Sequence, residues 1–406
     1  MRIFIAVRHS IDPQRCYGGL WSANFYPALR GLGHELVESQ TDLYPTSRFM
    51  DVAGDFTPQE LEARATTTER ILSEFETAHR QAPIDLFLSY FYNAHFDPAG
   101  FDRVRALGVP SINFYCNSIY QFANVAGIAA KVDVSWHAER DARASYLAAG
   151  ANPVWVQMGA DPGVYHPMEV PRARQACFVG QNYADRAQWM AALINAHVPV
   201  EIYGPGWGGP DADPAGSGEQ ESEHLGRRQH TPGSAGGYAK VVRDIVTRDG
   251  VISGAGRIAK RLAHQRERRR LNRLFASHAR GPIAFNRQVE VFARNEVCLN
   301  FSNVWADGQP GAALIGHVRL RDFEAPMCRT CYLTGHTEEI THFYDVGAEI
   351  DTYRTPDELI DKTRYYLSNA DAAERLRDAG HRRALACHTW THRFTELFSK
   401  VNLPGR

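Results

Sequence analysis

Apolar runs of strand length alternate with amphipathic helical stretches along nearly the whole chain, and the series breaks off once and starts again. That pattern restricts the fold to parallel α/β sheet built in two blocks. Residues 2–7, 35–39, 85–89, 111–115 and 132–135 read as strands of the first block, with helical pattern at 21–32, 61–82 and 136–149. Gly33 and Gly150 close two of these helices, because glycine takes the left-handed cap without strain. Thr57 and Glu60 have the spacing of a capping box. At residues 159–167 the pattern dissolves into a Gly/Pro linker. A second series then runs through strands at 176–180, 200–203 and 297–301, with a helix at 185–196 between the first two. Thr355 and Glu358 form a second capping-box pattern with Pro356 at the first helical position, and a final helix pair follows.

A chain of 406 residues exceeds one ordinary core, so two domains are expected. We assign 1–168 to an amino-terminal Rossmann-like domain and 169–387 to a carboxyl-terminal one. Residues 388–406 pack back on the first, and 205–285 form a helical insertion in the second. Hydrophobic content of 44% with 22% charge belongs to a globular rather than a disordered protein. A net charge of −1 argues against a molecule built as a whole for polyanions. No apolar run reaches membrane-spanning length, and the opening apolar run is too short for a secretory leader. Seven scattered cysteines fit a reducing compartment, hence the cytoplasm. Cys328 and Cys331 make a lone C-x-x-C, read as buried thiols.

Site-type residues concentrate between 318 and 340. The stretch reads as a short helix opening with Glu324, a buried strand, and a loop through Gly335, His336 and Thr337 toward Glu338 and Glu339. A carboxylate at a helix start, beside a strand whose carboxyl end feeds a loop, is how an open α/β sheet holds ribose and phosphates. Glu324 is assigned to the ribose hydroxyls. Arg319 and Arg321 alternate about Leu320, so they share one face of an extended segment. They suit an anionic ligand, or in a purely structural reading Asp322 and Glu324. Gly18 and Gly19 lie between the first strand and first helix, and Gly180 with Gln181 between a later pair. Glycines there bring backbone N–H groups to a phosphate or sugar. Arg186 opens the next helix, and its guanidinium fork matches paired phosphate oxygens. His95 stands near a strand end and is assigned to the chemistry with Arg186 and Glu339. Asp211 and Asp213 lie in a Gly/Pro loop, so no metal is expected. His388 and His392 are read as packing between the domains rather than as metal ligands. Residues 257–280 are strongly basic, and Ile258, Leu262, Leu271, Leu274 and Phe275 supply an interrupted apolar stripe suited to an anionic membrane surface. No nucleic-acid module accompanies them.

These pieces resemble the glycosyltransferase group 1 superfamily of GT-B fold, and within it the spore-maturation-protein-like (CgeB-like) branch. The opening Gly18-Gly19 with Leu29 and Gly33-His34-Glu35 carries the resemblance first. It continues in Gly159-Ala160-Asp161 with Tyr165 and Pro167, in Phe178-Val179-Gly180, in Arg321 to Ala325 with Tyr332 to Gly335, and in His388-Thr389-Trp390 with Arg393. The resemblance implies two Rossmann-like doubly wound domains facing across a cleft. It implies metal-independent, retaining transfer of a sugar from a nucleotide donor in the second domain to a glycan, lipid-linked or small-molecule acceptor entering from the first, with no cofactor. By that likeness Glu324 holds ribose, residues 335–339 cradle diphosphate and sugar, and Arg186 stabilises the departing phosphate. The chain departs from the pattern at three places. Gly316 stands where a first glutamate is usual, Gln181 where an arginine is expected, and Arg329 and Thr330 where glycines are common. These departures leave open a non-catalytic GT-B scaffold, or a GT-B sugar-nucleotide epimerase. The location implied is cytoplasmic, with peripheral contact at the inner face of the cell membrane.

Overall fold

The computed structural model describes residues 1–8, 19–207, 251–308 and 310–402. They form two compact units: Met1–His166 with Ala284–Asn286 and Ala384–Arg406, and Pro167–Ile283 with Arg287–Arg383.

The first unit is built on six parallel strands: β1 (Arg2–Ala6), β2 (Glu35–Glu38), β3 (Leu86–Ser89), β4 (Ser111–Tyr115), β5 (Val134–His137) and β6 (Pro153–Trp155), in the order β2-β1-β3-β4-β5-β6. Every residue of β3 and β4 is buried, as a sheet covered on both faces requires. The helix Pro58–Gln81 opens with the full capping box: Glu60 N–H donates to Thr57 Oγ1, and Thr57 N–H donates to the Glu60 carboxylate at 2.8 Å. Chain from the far end completes this unit. The helix Trp390–Lys400 lays Trp390 and Phe394 against Phe25 of the helix Leu20–Gly31, with ring centroids 4.7 and 5.1 Å apart. Ala160 N–H donates to His388 O, and the Arg393 guanidinium donates to Met158 O at 2.7 Å. Gly159 makes this join possible, because a Cβ there would sit 2.8 Å from the His388 carbonyl oxygen.

The second unit contains a five-stranded parallel sheet ordered β13-β12-β9-β7-β8 and a small antiparallel pair, β10 with β11. The strands are β7 (Ala173–Val179), β8 (Val200–Tyr203), β9 (Asn295–Asn300), β10 (Asn303–Trp305), β11 (Leu314–Gly316), β12 (Cys331–Gly335) and β13 (Asp351–Tyr353). Met190 and Leu193 of the helix Arg186–Asn195, Phe275 of Val251–Phe275 and Leu359 of Pro356–Ser368 share one core with Ala176, Phe178, Leu299 and Leu333. Side chains alternate across a strand, so Cys177 turns to the other face. There its sulfur lies 3.9 Å from the Val291 carbonyl of the helix Gln288–Arg294.

Several expectations are corrected. The helix expected at 136–149 is mostly absent: Trp136 and His137 belong to β5, paired with β4 and β6, and only Arg143–Ala148 is α-helical. Tertiary pairing overrides the local helical pattern there. The second capping box is half formed. Thr355 Oγ1 accepts from Glu358 N–H, but the Glu358 carboxylate takes the N–H of Arg354 at 2.7 Å instead of that of Thr355. Four short strands, β6, β10, β11 and β13, were not anticipated.

Candidate functional site

Counting along the chain, the second sheet places its strands second, first, third, fourth, fifth. The winding direction therefore reverses between β7 and β9, and ligands of open α/β sheets lie outside the carboxyl ends of strands at such a reversal. Gly180 follows β7 directly. Its N–H donates to Tyr203 O at 2.8 Å, and its carbonyl accepts the Trp207 indole N–H at 2.7 Å. Gly204, at φ 125°, holds a conformation that L side chains avoid, and a Cβ there would run into the Gly180 carbonyl. Arg186 begins the helix after this loop. Its guanidinium donates to Gln181 O at 2.9 Å and lies over the Phe178 ring, 5.4 Å from its centroid.

Ser302 follows β9, and Gly335 ends β12. Ser302 Oγ donates to the Gly335 carbonyl at 2.6 Å, and a Cβ on Gly335 would press on the Ser302 backbone nitrogen at 3.2 Å. Glycine is thus what lets the two loops close on each other. Beneath them lies Asp322, buried, whose carboxylate gathers the strand ends. Tyr332 and Thr334 hydroxyls donate to Oδ1 at 2.7 and 2.9 Å, Asn300 Nδ2 at 3.2 Å, and the Arg319 N–H donates to Oδ2 at 2.6 Å. Burial raises the carboxyl's pKa, and the donated bonds oppose that rise. Sequence reasoning read Asp322 only as an ion-pair partner. Polar Asn300, Tyr332 and Thr334 at the ends of apolar strands were the available signal.

Arg319 and Arg321 do not share a face. The helix Arg321–Met327 begins three residues earlier than expected, so Asp322 and not Glu324 is the carboxylate nearest its head. Arg319 lies in coil before the helix and Arg321 is its first residue. Arg319 donates to Asn303 O at 3.0 Å, whereas Arg321 pairs with Glu324 at 2.6 Å and covers the Phe292 ring. Arg319 and Arg186 nonetheless both act electrostatically on one residue. His317 is fully buried, its N–H donates to Ser302 O at 3.1 Å, and its pKa is pushed well down by burial first and then by both guanidinium groups. The imidazole is therefore neutral at neutral pH. Two arginines, a neutral histidine and two glycine loops thus stand at the carboxyl end of the second sheet.

The loop after β12 holds the other assigned residues. His336 has its ring nitrogens 3.1 Å from Thr352 Oγ1 and 3.3 Å from Glu338 Oε1, and the Thr337 hydroxyl accepts the Ile340 N–H. Glu339 begins the 3-10 turn Glu339–His342. Gly316 ends β11 against this loop, where an added Cβ would stand 3.0 Å from Thr337 Cγ2. In the first unit Gly19 caps its helix at φ 77°. Gly18, Asp211 and Asp213 lie outside the described residues. His95 is fully buried, with Nε2 3.0 Å from Ser47 Oγ and Nδ1 accepting the Tyr92 N–H, so both nitrogens are engaged within the fold. His388 lies 2.9 Å from the Arg393 guanidinium, and His392 Nδ1 2.7 Å from Thr389 Oγ1, both contacts within the first unit. Among the described residues no group of three or more His, Cys, Asp or Glu is placed to hold a metal, and no helix is long and apolar enough to cross a membrane.

Comparison with known proteins bears on this arrangement. Residues 241–399 match a family model described as glycosyl transferase-like. A search of curated proteins finds no match in sequence. The chain is similar in structure to sucrose-phosphate synthase from Thermosynechococcus elongatus, with a TM-score of 0.58 at 12% identity over 99% of both chains. It is also similar to HepE of Anabaena in complex with UDP and glucose, with a TM-score of 0.55 at 10% identity over 99% of this chain and 100% of that one. AviGT4, a glycosyltransferase involved in avilamycin A biosynthesis, superposes with a TM-score of 0.52 at 14% identity over 98% of this chain and 97% of that one. At such identities the common property is the fold, and the two parallel-sheet units are those of the α/β GT-B class.

Proposed function

We propose that this protein is a glycosyltransferase, taking a sugar from a nucleotide-diphosphate donor bound at the second sheet and passing it to a glycan, lipid-linked or small-molecule acceptor taken by the first unit. The observation that carries the reading is Arg186 opening the helix after the Gly180 loop, with Gly335 held against Ser302 at the neighbouring strand ends, where the winding of the second sheet reverses. A departing diphosphate gains negative charge in the transition state, and fixed guanidinium groups and backbone N–H donors aimed there accelerate the step most. The glycosyl transferase-like match and the UDP and UDP-glucose held by the Anabaena relative support the donor class. In this reading Arg186 steadies the leaving phosphate and the Gly335–Thr337 backbone cradles it. Glu324 reaches ribose, Glu339 the sugar, and Gly18-Gly19 line the acceptor side. Transfer is proposed to retain configuration and to need no metal or cofactor. The proposed location is the cytoplasm, with peripheral contact at the inner membrane face, and the proposed branch is the spore-maturation-protein-like one.

Isothermal titration with a panel of nucleoside diphosphates tests the donor site. One of them should bind, and Arg186→Ala should weaken it roughly tenfold to a hundredfold, as loss of a charged hydrogen bond predicts. Binding by none of them would discard the reading. A second reading, a GT-B scaffold without catalysis, is favoured by Gly316, whose contact with Thr337 leaves little room for the acid expected there. Nucleotide binding without transfer or hydrolysis of any nucleotide sugar would support it.

A further inference from the structure

At the end of the second sheet away from the glycine loops, a recess of about 480 Å³ opens beside the edge strand β13. Three pieces of chain wall it: the loop just before β13, Tyr365 and Tyr366 near the end of the helix Pro356–Ser368, and the helix Ala370–Cys387. The Tyr366 hydroxyl donates to Asp351 Oδ2 at 3.0 Å, at the first residue of β13. The recess therefore lies at the amino ends of the strands, apart from the proposed donor site at their carboxyl ends. The second helix gives it Ala372, Arg375, Ala379 and Arg382, at spacings of three, four and three that put all four on one face. The alanines leave a floor between two guanidinium groups whose Cα atoms stand about 10 Å apart along the helix axis. Both arginines are exposed, and neither has a hydrogen bond or ion pair among the described residues. The acids around them are taken: Asp378 pairs with Arg329 at 2.7 Å, Glu374 with Arg329 and Arg377, and Asp351 with Lys362. Other arginines of the same helix are engaged too, Arg377 with Glu296 and Arg383 with Phe343 O at 2.9 Å. The positive charge of the recess is thus unbalanced. Tyr365, in the same recess, is 50% exposed, and its ring is held edge-on against Tyr366 with centroids 5.1 Å apart.

We infer that this recess is a subsite for an acidic glycan, a chain of uronate-type sugars whose carboxylates reach Arg375 and Arg382 while one ring lies against Tyr365. The inference rests on the glycosyltransferase reading above and adds to it the class of polymer the enzyme works on. A guanidinium fork pairs with a carboxylate through two parallel N–H···O bonds. A pyranose ring has an apolar C–H face that an exposed aromatic ring covers, while its hydroxyls stay in solvent. Spacing decides between anions. A free phosphate or a nucleoside diphosphate carries its charge in one place, whereas arginines two helical turns apart suit charges repeated along a chain. Single-stranded nucleic acid repeats its charge too, but it is held by successive aromatic platforms in a basic groove, and this recess offers one exposed ring and two cations.

Fluorescence polarisation of the full chain with an end-labelled oligogalacturonate tests this, with the fully methyl-esterified oligomer as its uncharged counterpart. The acid form should bind roughly tenfold more tightly than the ester. Arg375→Ala with Arg382→Ala should weaken it roughly tenfold to a hundredfold, as loss of charged hydrogen bonds predicts. Tyr365→Ala should weaken it about fivefold. The thermal melt should stay unchanged in each case, because all three side chains are exposed. No binding of the acid form, equal affinity for the ester, or binding indifferent to the arginine pair or to Tyr365→Ala overturns the proposal. Displacement of the oligomer by an equal concentration of inorganic phosphate reduces the recess to a simple anion site, and tighter binding of single-stranded DNA through the same three residues reassigns it to nucleic acid. Nucleoside diphosphate titration of these variants should match that of the native chain. Its failure on the native chain would discard the transferase reading, while the polarisation assay still reports on the recess.

Discussion

Arg321 holds the carboxylate of Glu324 at 2.6 Å from the preceding turn of the same short helix, with side-chain exposures of 15% and 4%. A buried pair of this kind adds little net stability, but removal of one partner strands the other charge. Glu324→Ala should therefore destabilise the second unit by about 3 kcal/mol in urea unfolding, besides weakening nucleotide binding. Adding Arg321→Ala should recover much of the stability and none of the affinity. Recovery of both would make Glu324 a structural residue alone.

Arg329 takes the left-handed conformation, φ 57°, just past the end of the helix Arg321–Met327, where the related pattern has glycine. The strain is offset by its ion pairs with Asp378 at 2.7 Å and with Glu374. Arg329→Ala loses the pairs and keeps the strain, whereas Arg329→Gly loses both. The glycine variant should be more stable than the alanine variant by about 1 kcal/mol. Equal urea midpoints would refute this account of the turn.

Burial pushes the pKa of His137 down to about 4, while its Nδ1–H donates to the Glu139 carbonyl at 2.9 Å. Between that value and the ordinary 6.5 the unfolded chain binds a proton that the folded chain does not, so stability rises with pH across this window and falls on acidification. The contribution lost by pH 4 is on the order of 3 kcal/mol. His137→Gln should flatten the pH dependence of the unfolding free energy between these limits, whatever its effect at neutral pH. An unaltered slope would show that the imidazole is protonated in the fold.

Gly159→Ala should cost about 1–3 kcal/mol, because the new methyl meets the His388 and Thr389 backbone, which cannot swing aside as a side chain tip does. Hydrogen exchange should show the loss first in amides of the helix Trp390–Lys400. Protection there unchanged from the native chain would mean the contact relaxes freely.

What the sequence disclosed was mostly what is decided locally. The Thr57 capping box and the left-handed Gly33 and Gly150 depend on a few adjacent residues, and they stand as read. Both parallel sheets follow from alternation alone. Strands of three residues, such as β10, β11 and β13, exist only through their partners, and nothing within three residues announces them. The site fared similarly. Arg186 at the start of its helix was legible from strand, glycine and helix in succession. The divergence of Arg319 from Arg321 was not, because it hinges on whether the helix begins at 321 or 324. Asp322 collects donors from β9, β12 and the Arg319 backbone, a convergence visible only once the strands are side by side.

The return of Trp390 and Phe394 to Phe25 has a consequence for biogenesis. As the polypeptide leaves the ribosome, the first sheet emerges ahead of the second yet lacks a wall of its core until Trp390 and Phe394 have been made. The later-encoded sheet has all its strands and covering helices before then. The order of synthesis and the order of completion are therefore inverted: the half made first is the half finished last.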